Sequence, residues 1–94
     1  MRQLVLTPKF KRSFRKFVKR NTNLQKQIEE TLVKMQSDVF ATELSTHKLE
    51  GKLAGLRACS CGYDCRVVFS IEKDEESESE VIVLLDIGTH DEVY

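Results

Sequence analysis

Six side chains in the sequence suit acid–base chemistry on a phosphodiester: His47, Arg57, Asp64, Arg66, His90 and Tyr94. RNA cleavage by its own 2′-hydroxyl needs a base for the hydroxyl proton, cations for the charge on the phosphorane, and an acid for the departing 5′ oxygen. The ribose supplies the nucleophile, so no activated serine or cysteine is required. Histidine suits the acid or base role because its unperturbed pKa is about 6.5. These residue types therefore indicate metal-independent RNA cleavage, although an isolated surface histidine usually has no such role.

The last seven residues, 88–94, carry two of these groups, His90 and Tyr94. They follow the apolar run 81–87, which is typical of a central strand covered on both faces. Chain ends usually fray and tend to be small and polar. An imidazole and a phenol after a glycine hinge at Gly88 predict that this end of the chain belongs to a functional site.

The N-terminal region predicts a strand followed by a basic amphipathic helix. Residues 2–6 form the strand, and Thr7 with Pro8 is a helix start, since Thr can cap the helix and Pro needs no hydrogen-bond partner at its first position. Apolar residues then recur at helical spacing, which favours core positions over a base-stacking platform: Phe10, Phe14, Phe17 and Val18.

A second amphipathic helix follows the polar break at 21–23 and extends to about Ser37. Thr22 and Gln25 have the spacing of a capping box. The apolar positions continue at intervals of three and four residues: Leu24, Ile28, Leu32 and Met35. The short break predicts a helical hairpin.

Three strands are predicted in the second half of the chain, over residues 53–60, 65–73 and 81–87. The order β-α-α-β-β-β predicts a single α+β domain over residues 1–94, with an antiparallel sheet and the helical hairpin packed on one face. In the middle strand Val67, Phe69 and Ile71 share an apolar face. The opposite, concave face would be free, with Arg66 pointing onto it and Arg57 a second candidate.

The formal net charge of zero conceals a strong asymmetry. Residues 1–20 contain eight Lys or Arg and no acid, whereas residues 71–94 contain nine acids and one Lys. A basic face of this kind can hold an RNA backbone or an acidic partner segment. The acidic stretch 74–80 predicts a self-repelling loop. No apolar run is long enough for a membrane span, and the N-terminus lacks a secretory signal, so we expect a cytoplasmic protein without a membrane partner.

The three cysteines, Cys59, Cys61 and Cys65, lie within seven residues. An odd count in so short a stretch argues against a disulfide framework and for a reducing compartment. With His47 they could form a zinc site, but the spacing differs from paired C-x₂₋₄-C knuckles. We therefore expect small buried thiols and no metal or cofactor.

Four motifs in this order resemble the RelE/ParE superfamily of bacterial toxins from type II toxin–antitoxin systems, and within it the YafQ-like branch. The similarity covers essentially the full length, and its most specific parts are residues 47–51 (HKLEG), 55–57 (GLR), 64–69 (DCRVVF) and 88–90 (GTH), with Tyr94 at the end. The resemblance implies a RelE-like fold and a ribosome-dependent mRNA endonuclease. Such toxins act on mRNA in the ribosomal A site and are inhibited by a cognate antitoxin. Operator DNA is expected to be bound only through the toxin–antitoxin complex.

The resemblance also implies roles for individual residues. His47, Asp64, His90 and Tyr94 match functional positions of the YafQ-like pattern, and Arg66 matches an arginine that contacts the scissile phosphate in related RelE proteins. Arg57 falls where those proteins carry a lysine, and with Lys48 and Lys52 it is expected to bind RNA phosphates. In the resulting hypothesis His90 is the general acid, and Asp64, alone or through His47, is the base.

The sequence departs from that pattern at two positions. Ser60 replaces a further histidine, and Cys59 replaces a second lysine, so the site has fewer imidazoles and cations. Two other functions therefore stay open: a ParE-like inhibitor that acts on DNA gyrase by binding alone, and a catalytically weakened homologue that retains antitoxin binding and operator co-repression. The set of His47, Asp64 and His90 favours the nuclease, because a protein that only binds does not need it.

Overall fold

The computed structural model describes residues 1–94, and its first elements follow the predicted order. Strand β1 spans Gln3–Leu6 and helix α1 spans Pro8–Phe17. Thr7 caps α1 as predicted, because its hydroxyl oxygen accepts a hydrogen bond from the Phe10 N–H at 3.1 Å. The same hydroxyl donates to the Leu84 carbonyl at 2.8 Å. The helix start is thereby attached to the middle of the sheet.

Helix α2 spans Thr22–Asp38, but its cap differs from the prediction. Asn21 is the N-cap residue, and its side-chain oxygen accepts from the Leu24 N–H at 3.0 Å. The predicted capping box of Thr22 and Gln25 is therefore wrong. Both Asn21 and Thr22 are cap-forming residue types, and the backbone leaves the helical conformation at the earlier one.

Four further strands complete a five-stranded sheet: β2 (His47–Lys48), β3 (Arg57–Gly62), β4 (Cys65–Lys73) and β5 (Glu80–Gly88). The strand order is β1-β5-β4-β3-β2. The predicted meander of β3, β4 and β5 is confirmed, and β5 is an interior strand between β1 and β4. The sheet is mixed rather than antiparallel, because β1 lies parallel to β5. Residues 51–53 form a 3₁₀ turn, so β3 begins later than predicted. A short helix α3 (His90–Val93) ends the chain.

One hydrophobic core lies between the sheet and the helices α1 and α2. Phe10, Val67 and Phe69 are buried in it, and Phe14 and Phe17 pack against it. The α1 aromatics therefore belong to the core, as predicted. No helix is long and apolar enough to cross a membrane.

The opposite face of the sheet is only partly open, which corrects the expectation of a free concave surface. Ala58 and Val68 lie on that face, and their exposed fractions are 0% and 3%. Leu53 and Leu56, from the segment between β2 and β3, line a cavity of about 320 Å³ together with Val68 and two other apolar residues, Leu85 and Val93. The segment before β3 thus covers part of this face. The part that stays open is the end of the sheet where Arg66 on β4 pairs with Ser60 on β3 and with Gly88 on β5.

The expectation of three unpaired thiols is wrong for two of the cysteines. Cys61 and Cys65 form a disulfide bond, with their Cα atoms 5.0 Å apart. They end β3 and begin β4, and a tight turn brings them together on the core side of the sheet. Cys59 alone stays unpaired and buried, as expected, with its Sγ 3.7 Å from Met35 Sδ.

Candidate active site

Arg66 supplies a cation to the open end of the sheet. It alternates with the buried Cys65 and Val67 on β4, so its side chain points away from the core. One terminal nitrogen, Nη1, donates to the Cys65 carbonyl at 2.9 Å and to the Gly62 carbonyl at 3.2 Å. No carboxylate lies within ion-pair distance of Arg66. Its guanidinium is therefore held in place, yet its charge is not neutralised by the protein.

Asp64 and His90 are joined by a hydrogen bond between the β3–β4 turn and the C-terminal helix. Asp64 adopts a positive φ of 49° in the turn. Its Oδ1 accepts from the backbone N–H of His90 at 3.1 Å. The second carboxylate oxygen makes no hydrogen bond with the protein and is free to accept a proton. Residues that are 26 positions apart in the chain thus meet at the open end of the sheet.

Helix α3 is short, and a capping box holds its first turn. The Thr89 hydroxyl accepts from the Glu92 N–H at 3.3 Å, and the Glu92 carboxylate accepts from the Thr89 N–H at 2.8 Å. A Cβ on Gly88 would lie 3.0 Å from Glu92 Oε1. Gly88 therefore gives the Glu92 side chain room for this close approach, and its φ lies outside the left-handed region. The Thr89-x-x-Glu92 spacing was readable in the sequence as a capping box.

Tyr94 packs edge-on against the His90 ring, with 4.5 Å between the ring centroids. Partial burial raises the pKa of the Tyr94 phenol, and the nearby Arg66 charge opposes that shift. Arg66 also pairs with Gly88 across β4 and β5, so it lies beside the start of the segment that carries His90 and Tyr94. The structure therefore gathers Asp64, Arg66, His90 and Tyr94 at one end of the sheet.

His47 lies outside this cluster. It is exposed on β2 and pairs with Ala58, so it is on the same side of the sheet as Arg66. Two strand spacings of about 4.8 Å and two residues of about 3.4 Å put the Cα atoms of His47 and Arg66 roughly 12 Å apart. His47 Nδ1 donates to the Ser45 carbonyl at 3.0 Å. Because Nδ1 carries the proton, Nε2 of the neutral ring is a free acceptor.

Arg57 and Lys48 lie on the other side of the sheet. They pair with each other, and Arg57 also pairs with the core residue Phe69, so both point towards the helices. The Arg57 guanidinium lies 5.6 Å from the ring centre of Phe40, a residue for which the sequence predicts no role. Lys52 is exposed in the turn before β3. None of these three cations joins Arg66, and their phosphate-binding role stays a prediction.

The departures at positions 59 and 60 have different structural consequences. Ser60 pairs with Arg66 across the sheet, and its hydroxyl lies 3.5 Å from Arg66 Nη1. Cys59 points into the core. Burial raises the pKa of its thiol to about 12, against the opposing charge of Arg66. Cys59 is therefore an inert core residue, whereas Ser60 lines the candidate site.

Several solved bacterial toxin structures have the same fold as this chain. A YoeB/ParE toxin from Agrobacterium tumefaciens has a TM-score of 0.75 at 15% identity, over 94% of this chain and 98% of that chain. The Escherichia coli DinJ–YafQ toxin–antitoxin complex has a TM-score of 0.73 at 13% identity, over 99% of this chain and 97% of that chain. A copper-bound mutant toxin from Helicobacter pylori has a TM-score of 0.72 at 24% identity, over 100% of both chains.

No curated protein matches the sequence. A family model does match it over residues 2–94, and that model describes the YafQ bacterial toxin of type II toxin–antitoxin systems. The match includes every residue of the candidate site. The chain therefore belongs to the YafQ family of type II toxins.

Proposed function

We propose that this toxin is a ribosome-dependent mRNA endonuclease that cleaves without a metal ion and is neutralised by a cognate antitoxin. The observation that carries the proposal is the placement of Arg66, a half-buried guanidinium with no acidic partner, opposite Gly88 at the start of the segment that carries His90 and Tyr94. A fixed, unneutralised cation stabilises the charge that develops on a phosphorane. A binding protein without chemistry would not need an imidazole and a carboxylate beside it.

In the proposed reaction the 2′-oxygen attacks phosphorus and the 5′-oxygen leaves. The free oxygen of Asp64 takes the 2′-hydroxyl proton, and the His90 imidazolium gives a proton to the leaving oxygen. Arg66 stabilises the phosphorane, and Tyr94 orients or stacks on a base. The products are a 2′,3′-cyclic phosphate and a 5′-hydroxyl end, so no water is consumed in this step.

His47 is assigned a separate role, because the only hydrogen bond of its side chain is to the Ser45 carbonyl and none joins it to Asp64 or Arg66. Its Nε2 is exposed and free to accept a hydrogen bond. We assign it to a flanking nucleotide, on the same side of the sheet. Under this assignment His47 affects message binding more than the chemical step.

The proposed partners follow from charge. Helix α1 exposes a row of cations to solvent, of which Lys9 is paired with Asp86 at 3.5 Å. Such a surface suits ribosomal RNA in the A site, and it also suits an acidic antitoxin segment that folds on binding. The solved DinJ–YafQ complex, which has the same fold, is a toxin–antitoxin assembly. A ribosome-dependent enzyme would act in the cytoplasm, and operator DNA would be reached through the antitoxin complex.

The decisive experiment maps 5′ ends of a translated message in a purified translation system. Wild-type protein should produce new 5′-hydroxyl ends only when the message is being translated. Arg66→Gln should lower the cleavage rate by about 10²-fold. Lys26→Gln is the control for loss of a positive charge, since Lys26 is exposed on α2, and it should retain most of the activity.

Two outcomes would contradict the proposal. Uncut message together with gyrase-dependent DNA breaks would identify a ParE-like toxin that acts by binding. Absence of both cleavage and growth arrest, with antitoxin binding retained, would identify a catalytically weakened homologue.

A further inference from the structure

Two of the three cysteines lie at the two ends of the turn that carries Asp64. Cys61 and Cys65 are joined by a disulfide that closes a ring of the residues 61–65. Both are buried, with exposed fractions of 2% and 1%. The disulfide therefore restrains a short stretch of backbone at the candidate active site.

The same stretch of backbone orients the site's charged groups. Arg66 Nη1 donates to the carbonyls of Gly62 and Cys65, and both carbonyls belong to the ring. Asp64 lies inside the ring and accepts from the His90 N–H. Any change in the ring's conformation would therefore move the carboxylate, the guanidinium and the start of α3 together.

Reduction removes the covalent restraint on this ring. Two thiols must move apart to van der Waals separation, and because Cys61 and Cys65 are both buried in a close-packed core, their separation favours movement of the turn. A second contact bears on the same turn: Gln27 Nε2 donates to the Cys61 carbonyl at 2.7 Å. Movement at Cys61 would be transmitted to α2 as well.

We propose that Cys61 and Cys65 form a reversible redox site whose co-substrate is a low-molecular-weight disulfide. In reducing compartments, protein disulfides are usually transient and regulatory. When the turn opens and exposes the reduced pair, one protein thiolate attacks the small disulfide and releases one thiol. The second protein thiolate then displaces the other thiol and closes the Cys61–Cys65 bond. One disulfide is consumed and one is formed, so electrons and protons balance. The oxidised form holds the catalytic geometry, and this consequence rests on the proposed nuclease function.

The test uses the full chain equilibrated with oxidised or reduced glutathione. Alkylation in denaturant followed by mass measurement counts thiols: one cysteine should be modified in the oxidised protein and three in the reduced protein. Amide hydrogen exchange then follows the His90 N–H, which should exchange roughly tenfold more slowly in the oxidised form. Message cleavage should be roughly tenfold faster in that form, because small displacements of catalytic groups are costly.

Two variants serve as controls. Cys61→Ala/Cys65→Ala should behave like the reduced protein under both conditions, and Cys59→Ala should keep the full redox response. Three alkylated cysteines after treatment with oxidised glutathione would overturn the proposal, and so would equal His90 exchange in the two forms of wild type. Absence of cleavage in both the oxidised and the reduced protein would count against the nuclease function alone. Alkylation and amide hydrogen exchange test the redox site independently of that activity.

Discussion

The Asp64 carboxylate accepts a hydrogen bond from the His90 backbone N–H at 3.1 Å, and this contact ties the β3–β4 turn to helix α3. It gives Asp64 a positioning role in addition to its proposed role as a base. The two roles use different properties of the side chain. Positioning needs an acceptor oxygen, whereas proton abstraction needs the negative charge.

Substitutions at Asp64 should separate these roles. Asp64→Asn keeps an acceptor oxygen for His90 but removes the base, so cleavage should fall about 10²-fold while His90 amide protection is largely retained. Asp64→Ala should lower both, because it also removes a charge-assisted hydrogen bond of about 1.5–3 kcal/mol. Cleavage assays and hydrogen exchange measure the two effects. Unchanged cleavage by Asp64→Asn would rule out Asp64 as the base.

The two histidines form a second matched pair, since both are exposed. His90→Gln should reduce the single-turnover cleavage rate by about 10²-fold, because a general acid is lost. His47→Gln should chiefly weaken binding of the ribosome-bound message, with a smaller effect on the rate at saturation. Single-turnover kinetics at increasing toxin concentration separate binding from rate. A larger rate effect at His47 than at His90 would reverse the proposed assignment.

Gly62 is expected to be sensitive to any added side chain. Its φ is +133°, and a Cβ would lie 1.7 Å from Gln27 Nε2. Gly62→Ala should therefore lower the free energy of unfolding by about 1–3 kcal/mol from backbone strain alone. The displaced Gln27 would also lose its hydrogen bond to Cys61, worth about 1 kcal/mol.

Gly51→Ala is the control for this effect. Gly51 also has a positive φ, +65°, but no atom lies within 4 Å of its Cβ position. Gly51→Ala should lower the free energy of unfolding by only about 1 kcal/mol, because alanine is strained in the left-handed conformation. Urea denaturation of both variants measures the difference, and equal losses would show that the Gln27 contact is unimportant.

Stability should fall at alkaline pH partly because of Cys59. Burial raises the pKa of its thiol to about 12 from an ordinary value of 9.0. Between these values the folded state holds a proton that the unfolded state has released, so stability is full below pH 9 and decreases as pH rises towards 12. One proton corresponds to a slope of about 1.4 kcal/mol per pH unit.

The measurement is urea denaturation of wild type and Cys59→Ala at several pH values above 9. In the variant, the free energy of unfolding should fall less steeply with pH than in wild type. The difference in slope should be at most the value for one proton. Its overall stability will be lower because of the smaller side chain, so the comparison uses slopes and not absolute values. Identical slopes would indicate that the Cys59 thiol is accessible to solvent in the folded protein.

The local sequence was sufficient for most of the elements. Thr7 and Pro8 start α1, and the apolar spacing in 10–18 and 24–35 defines the buried faces of both helices. These features depend on contacts within a few residues, which residue types and spacing report directly. The YafQ-like motifs likewise indicated the family from short stretches alone.

The tertiary structure decided which groups share a surface, because strand register and turn geometry are long-range properties. Pairing with Phe69 turns Arg57 towards the helices, whereas pairing of Arg66 with Gly88 turns it towards Tyr94 and the start of α3. Both arginines were candidates for the same face in the sequence, Arg66 first and Arg57 second. Similarly, only the turn between β3 and β4 brings Cys61 to Cys65 and leaves Cys59 in the core. Side-chain chemistry could therefore be predicted from the sequence. The side of the sheet on which each group acts was set by pairing between distant strands.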